Sequence, residues 1–148
     1  IFVPATRDLY FSSKEKGAFK VLVNLENYDV ETLISNANKL PLQQEDSVFT
    51  IVASRSHMSI ETETYVQEMR SKYGQVKLIS KGSSLKFCLV AEGVAHCYPR
   101  FAPTMEWDTA AGQAICEHAG FKVVDMDNKI KMMYNRENLI NNNFLVNK

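Results

Sequence analysis

Apolar segments at the start of the chain predict an antiparallel sheet. Residues 8–13 and 18–25 are rich in aromatic and β-branched side chains, and the four residues between them end in Gly17. A glycine at that point suits a tight hairpin turn, because it adopts positive φ without steric cost. We therefore interpret residues 1–25 as antiparallel strands.

A different spacing follows the predicted strands. Apolar residues recur at helical intervals from Val30 to Leu40, behind Asp29 as a candidate cap and ahead of Pro41, which cannot continue a helix. This pattern predicts a short amphipathic helix. The polar stretch 43–47 then separates the first part of the chain from the rest.

From residue 48 onward the chain alternates between strand and helix patterns, which is typical of a layered α/β domain. We therefore expect two domains: 1–47, with an antiparallel sheet, and 48–148, an α/β domain. The predicted strands are 48–54, 76–80, 96–101 (broken at Pro99), 121–125 and 143–147. The predicted helices are 60–73, 83–92 and 108–119. In the last of these helices, small residues lie on the inner face.

Composition and charge narrow the function classes. The 148 residues are 45% hydrophobic, enough for a packed core, and 17 basic residues balance 17 acidic ones. Without a global basic field, nucleic acid is not an expected partner. The three cysteines, Cys88, Cys97 and Cys116, lack zinc-site spacing, and their odd number favours a reduced, cytoplasmic protein. We expect no membrane span, since no apolar run approaches ~20 residues.

Four positions could carry chemistry, and each has a simpler alternative. Asp108, before a predicted helix, either caps free N–H groups or binds a cation. Lys86, among apolar residues, either extends to the surface or faces an anion. His57, after an apolar strand, is either a loop histidine or a ligand contact. Arg136 either contacts a ligand or pairs with a carboxylate, and pairing is the expectation that we favour. His96 and His118 carry no expected role.

Residues 82–112, with the motifs SSLK, YPR and WDTAAG, resemble the C-terminal signature of the inositol monophosphatase superfamily, and specifically its 3'(2'),5'-bisphosphate nucleotidase branch. The segments SRSH (54–57) and 134–144 resemble that branch as well. The resemblance implies a layered α/β sandwich of the inositol monophosphatase and sugar phosphatase type, with N-terminal antiparallel strands left from a truncated first domain.

The resemblance also implies roles for individual residues. Asp108 would be a catalytic ligand of Mg²⁺, and Thr109 would offer a backbone N–H to the anion. The remaining candidates would bind substrate: Ser83, Lys86 and Arg100 the non-scissile phosphate, His57 the adenine by stacking, and Ser54 and Arg55 the pocket around it. The implied activity is removal of the 3'-phosphate of adenosine 3',5'-bisphosphate. Inositol-phosphate hydrolysis is the alternative within the superfamily, and a non-catalytic nucleotide-binding fragment is the alternative from another class.

Two motifs of the resembled family, an acidic GEE-type segment and DPxDGT, are not present in the sequence. In the family they supply the other metal ligands and orient the attacking water, so we expect this chain to be the C-terminal part of a longer protein and inactive by itself. The first residue, Ile1, fits that expectation because it reads as the middle of a strand. The missing N-terminal half would then be a partner, a homodimer is compatible with the resemblance, and so is a peripheral location at the inner membrane.

Overall fold

The computed structural model describes residues 1–26, 28–42, 48–54 and 58–148. The first part of the chain forms an antiparallel sheet in the order β1 (Phe2–Val3), β2 (Asp8–Ser13), β3 (Gly17–Leu22) and β4 (Asn38–Lys39). The hairpin is confirmed: Ser13 pairs with Gly17, whose φ is 101°.

The predicted helix between residues 30 and 40 is confirmed only in its first half. Helix α1 (Val30–Ser35) begins at Asp29, whose carboxylate accepts the N–H of Thr32 at 2.9 Å. It has no buried residue, so nothing packs on it to extend it. The following residues pair with β3 instead, and the N–H of Leu40 donates to the carbonyl of Ala18 at 2.9 Å. The edge of the sheet therefore takes over where we expected the last helical turns.

The second part of the chain builds a second sheet. Strands β5 (Phe49–Ala53) and β6 (Val76–Ser80) pair in parallel, while β9 (Phe144–Asn147) pairs antiparallel with both β7 (Tyr98–Arg100) and β8 (Lys122–Asp125). A parallel bridge between Ile51 and Cys97 joins the two groups. Pro99 does not break β7, as we had expected, but pairs with Leu145 in its centre. Proline cannot donate a ladder hydrogen bond, and the pairing of β7 with β5 is limited to that one bridge.

Helices fill the space on both faces of this second sheet. Helix α3 (Leu85–Ala91) contacts β5, β7 and β9, and helix α4 (Glu106–His118) contacts β8 as well as β2 and β3 of the first sheet. Helix α2 (Ile60–Tyr73) packs on the other face, with Val66 against Ile51 and Cys97. The layers therefore run from antiparallel sheet through α3 and α4 to the second sheet and α2, a mixed α/β sandwich as predicted. None of the helices in the described ranges combines the length and apolarity needed to cross a bilayer.

The main core lies between the two sheets and includes residues from both sides of the boundary predicted at 43–47, a segment outside the described residues. Tyr10 and Ala18 belong to the same buried cluster as Val52, Phe87 and Phe144. The division into 1–47 and 48–148 stays a prediction.

Helices α3 and α4 approach closely at Gly112. A Cβ atom there would lie 2.5 Å from the ring of Phe87, which no real contact allows. The small inner-face residues predicted for α4 include this glycine together with Cys116 and Ala119, which are buried, whereas Ala110 and Ala111 are exposed.

Candidate functional site

A cleft of about 680 Å³ opens at the carboxyl ends of β5 and β7. Ser54 follows β5 directly, Arg100 is the last residue of β7, and the first turn of α4 forms the facing wall. The carboxyl ends of parallel strands are where open α/β sheets bind ligands. The position of the cleft therefore suits a substrate site.

The structure brings together six of the eight predicted site residues. The residues that line this cleft are Ser54, Ser83, Lys86, Arg100, Asp108 and Thr109. The other two, Arg55 and His57, lie outside the described residues. The roles assigned to all eight stay predictions, but the six that can be placed share one space.

Lys86 does not extend to the surface. Its side chain is 4% exposed, its Nζ donates to the carbonyl of Ser83 at 2.9 Å, and the same atom lies 5.0 Å from the centre of the Tyr98 ring. Ser83, which we expected inside the helix, precedes it with a φ of 55° that is uncommon for a residue with a side chain. This turn directs the Ser83 carbonyl at the ammonium and leaves Lys86 at the base of the cleft.

The cleft holds two cations, Lys86 and Arg100, that form no ion pair with a carboxylate in the described part of the chain. Arg100 uses Nε and one terminal nitrogen to hold the carbonyls of Ala102 and Pro103, at 3.1 and 3.2 Å. Burial, and secondarily the charge of Arg100, lowers the pKa of Lys86 to about 8. Among the described residues the ion pairs include neither side chain. Two cations that line the same cleft without a carboxylate partner among the described residues favour the binding of an anion.

Asp108 lies across the cleft from these cations. It is the third residue of α4 and not the N-cap residue, which is Met105, because the helix starts two residues earlier than predicted. Its Oδ2 accepts the N–H of Met105 at 2.8 Å, which closes the helix start. The carboxylate is exposed, and its Oδ1 has no hydrogen-bond partner in the described part of the chain. Capping one N–H and binding a cation are thus compatible for this side chain.

The hydroxyl group of Thr109 makes hydrogen bonds within the fold, and its backbone N–H lies inside helix α4. In a helix that begins at Glu106, the fourth residue donates its N–H within the helix. The hydrogen bond that we expected Thr109 to give an anion would compete with that helical bond, and it stays a prediction. Its buried hydroxyl donates to the carbonyl of Glu106 and accepts from Tyr134 and Asn141, at 3.2, 3.2 and 3.0 Å.

Two side chains that we did not predict tie the start of α4 to the segment 134–141. The Glu106 carboxylate accepts the backbone N–H of Asn135 at 2.7 Å and the N–H and Nε of Arg136 at 3.3 and 3.2 Å. In return the Asn141 amide donates to Thr104 Oγ1, to the Met105 carbonyl and to Thr109 Oγ1, at 3.1, 2.9 and 3.0 Å. We call this reciprocal set the α4 clamp. It fixes the turn from which Asp108 projects.

The clamp also decides the role of Arg136, which pairs with Glu106, the alternative that we had favoured. Burial by itself raises the pKa of Glu106, but the hydrogen bonds from Asn135 and Arg136 outweigh that effect and lower the pKa below its ordinary value. The polar residues of segment 134–141 were the sequence signal that could have revealed the clamp. They gave no indication of which part of the chain the segment contacts.

The other two histidines have hydrogen-bond partners within the fold. His96 Nδ1 accepts the N–H of Thr50 at 3.0 Å, and His118 Nδ1 lies 3.0 Å from Ser12 Oγ. A larger cavity of about 1070 Å³ borders His96 at the amino ends of β5 and β7. None of the six predicted site residues that the structure describes lines it, so the smaller cleft is the better candidate on chemical grounds.

The donor set of the cleft is incomplete for a metal ion. Asp108 supplies a hard carboxylate oxygen of the type that Mg²⁺ prefers. However, the described residues contain no group of three or more His, Cys, Asp or Glu side chains that could hold a metal. Asp108 therefore fits as one ligand, and the chain as described does not assemble a metal site.

Known proteins resemble this chain along its length. The CysQ structure from Bacteroides thetaiotaomicron, described as a bacterial member of the inositol monophosphatase family, superposes with a TM-score of 0.90 at 45% identity over 99% of this chain and 55% of that one. The 3'(2'),5'-bisphosphate nucleotidase CysQ of Escherichia coli K12 is 48% identical over 96 residues, which are 65% of this chain and 37% of that protein. The chain thus spans between a third and just over half of these relatives.

A more distant structure shows the same fold. Staphylococcal IMPase-II superposes with a TM-score of 0.66 at 15% identity, over 99% of this chain and 49% of that one. The sequence pattern described as the inositol monophosphatase family matches residues 1–148. With the layered fold and the cleft in place, these matches establish that the chain belongs to the inositol monophosphatase family.

Proposed function

We propose that the full-length protein is a Mg²⁺-dependent phosphatase that removes the 3'-phosphate of adenosine 3',5'-bisphosphate. The observation that carries this proposal is the cleft itself, where Lys86 and Arg100, which form no ion pair among the described residues, share one space with the exposed carboxylate Asp108. The Escherichia coli relative that is named a 3'(2'),5'-bisphosphate nucleotidase, at 48% identity, supports the same substrate class.

The two sides of the cleft suit the two phosphates of such a substrate. Lys86 contributes a buried charge whose desolvation an anion would relieve, and Arg100 contributes the guanidinium nitrogen that its backbone contacts leave over. These side chains would hold the phosphate that is not hydrolysed. The ester to be cleaved would then lie toward Asp108, where the first turn of α4 adds a partial positive charge.

Among the described residues, Asp108 is the one that we propose as a ligand of Mg²⁺. A bound Mg²⁺ ion supplies charge stabilisation to a reacting phosphate and acidifies a water molecule. Because the described residues offer a single carboxylate here, no step of the reaction is assigned to the ion, and we propose that its other ligands come from residues outside this chain.

The test is phosphate release by the full-length protein with Mg²⁺ on three substrates: adenosine 3',5'-bisphosphate, adenosine monophosphate and inositol 1-phosphate. We expect the bisphosphate to be preferred, and Lys86→Ala to weaken its hydrolysis by about 1.5–3 kcal/mol while leaving the monophosphate reaction nearly unchanged. Equal losses on both nucleotides would show that Lys86 does not hold the second phosphate. Preference for inositol 1-phosphate would replace the nucleotidase by the inositol-phosphate alternative.

The absence of a three-residue metal-ligand group among the described residues favours a second candidate, a non-catalytic nucleotide-binding module. Calorimetric titration separates the two proposals. Micromolar binding of the bisphosphate with no phosphate release at any Mg²⁺ concentration would favour the module.

We also propose a cytoplasmic location, which suits three buried cysteines that are all free. A homodimer stays a proposal as well, to be tested by the mass of the full-length protein in light scattering.

A further inference from the structure

The hydroxyl group of Tyr98 is a polar group in the cleft without a hydrogen-bond partner among the described residues. The side chain is 3% exposed and lines the cleft. Its ring is held edge-on by Phe87 and Phe144, at centroid distances of 5.3 and 5.5 Å and an interplanar angle of 89° in both pairs. The ring therefore has little freedom, and its oxygen has one fixed position.

The other buried or half-buried tyrosines of the described chain use their hydroxyl groups within the protein. Tyr10 donates to Glu92, Tyr65 to the sulfur of Cys97, and Tyr134 to Thr109 and Gln113. In the described ranges no fully enclosed side-chain nitrogen or oxygen lacks a partner. The oxygen of Tyr98 must therefore border open space, and the open space that Tyr98 lines is the cleft.

Charged groups surround this oxygen. Burial raises the pKa of Tyr98 well above its ordinary value, while the charge of Arg100 lowers it and that of Asp108 raises it. The hydroxyl thus lies within electrostatic range of both walls of the cleft, and it stays protonated at neutral pH. Lys86 Nζ lies over the same ring.

We infer that the Tyr98 hydroxyl donates a hydrogen bond to an oxygen of the phosphate group held by Lys86 and Arg100. A buried donor without a partner costs stability until a ligand supplies the acceptor. Two cations alone attract any anion, whereas a rigid neutral donor in the same cleft selects an acceptor at one place. Tyr98 is therefore a specificity-determining contact, and this inference rests on the phosphate-binding role proposed for the cleft.

The test compares Tyr98→Phe, Tyr65→Phe and Lys86→Met with the wild-type full-length protein, by calorimetric titration of adenosine 3',5'-bisphosphate and of inositol 1-phosphate with divalent cations chelated. Tyr98→Phe keeps the ring and removes only the oxygen. We expect it to bind the preferred ligand about 10- to 100-fold more weakly. Tyr65→Phe removes a hydroxyl outside the cleft, so it should bind as the wild type does, and the thermal midpoint of Tyr98→Phe should not fall.

The outcomes separate this inference from the proposed function. Wild-type affinity in Tyr98→Phe, together with lost binding in Lys86→Met, would overturn the role of Tyr98 and leave the phosphate site in place. A matching loss in Tyr98→Phe for inositol 1-phosphate, with no bisphosphate binding by the wild type, would support Tyr98 and overturn the nucleotide. No binding of either ligand by the wild type would overturn both.

Discussion

Replacing Lys86 by methionine tests whether burial of its charged ammonium group destabilises the folded protein. Methionine keeps most of the apolar stem and removes the charge. In the folded protein the pKa of Lys86 falls from 10.5 to about 8, chiefly because burial disfavours the ammonium. A shift of that size corresponds to at most about 3 kcal/mol, and water in the open cleft reduces the expected value to about 1–3 kcal/mol.

The sign of the pH dependence follows from the direction of the shift. Because the folded-state pKa lies below the unfolded value, the charged lysine destabilises the fold at every pH below about 8. That cost disappears as the pH rises from about 8 to 10.5. The stability of the wild type relative to Lys86→Met should therefore rise by about 1–3 kcal/mol across this window, and other titrating groups cancel because both proteins contain them.

The assay is urea denaturation of both full-length proteins at pH 7.5, 8.5, 9.5 and 10.5. Lys77→Met removes an exposed lysine from β6 and serves as the matched control, for which we expect a flat difference. Saturating adenosine 3',5'-bisphosphate should move the Lys86 window to higher pH, since an adjacent anion stabilises the ammonium. A difference between wild type and Lys86→Met that does not change with pH would refute the argument that Lys86 is desolvated without a counter-charge.

Three further outcomes are expected. Gly112→Ala should destabilise the protein by about 1–3 kcal/mol in urea denaturation, because the new Cβ atom would collide with the Phe87 ring. Wild-type stability in this variant would show that α3 and α4 can move apart at low cost. Asn141→Ala should cost about 1–3 kcal/mol, since it removes the hydrogen bonds that the amide gives to Thr104, Met105 and Thr109. Hydrogen exchange should quicken around residue 105, and unchanged exchange there would remove Asn141 from the α4 clamp. Asp108→Asn should abolish Mg²⁺-dependent phosphate release without lowering the thermal midpoint. An amide oxygen still accepts the Met105 N–H, but it is a poorer ligand for a cation. Wild-type turnover in this variant would leave Asp108 as a capping residue alone.

A fifth expectation concerns residues 1–148 expressed alone. Exposed apolar side chains such as Leu22, Tyr28 and Val30, at 60–68% exposure, should promote self-association in size-exclusion chromatography. We also expect no phosphate release with Mg²⁺. A soluble, active monomer would show that the catalytic residues are misplaced.

Local sequence determined the elements whose signals are local. The hairpin at Gly17 and the helix that ends at Gly74 follow from residue types within a few positions, since turn conformation and helix periodicity depend on neighbours in the chain. The cleft residues were predicted as a group through motif resemblance, because spacing alone left Asp108 and Lys86 with two alternatives each.

Tertiary structure decided what depends on partners far along the chain. Helix α1 ends early because β3 offers hydrogen bonds to residues 38–40, and α4 starts early because its first turn is held by residues 134–141. Lys86 is buried because β7 places the ring of Tyr98 beneath its ammonium. Each outcome is a competition between a local preference of about 1 kcal/mol or less per residue and distant hydrogen bonds or burial. The periodicity of the sequence carries no information about those distant partners, so only the folded structure could show them.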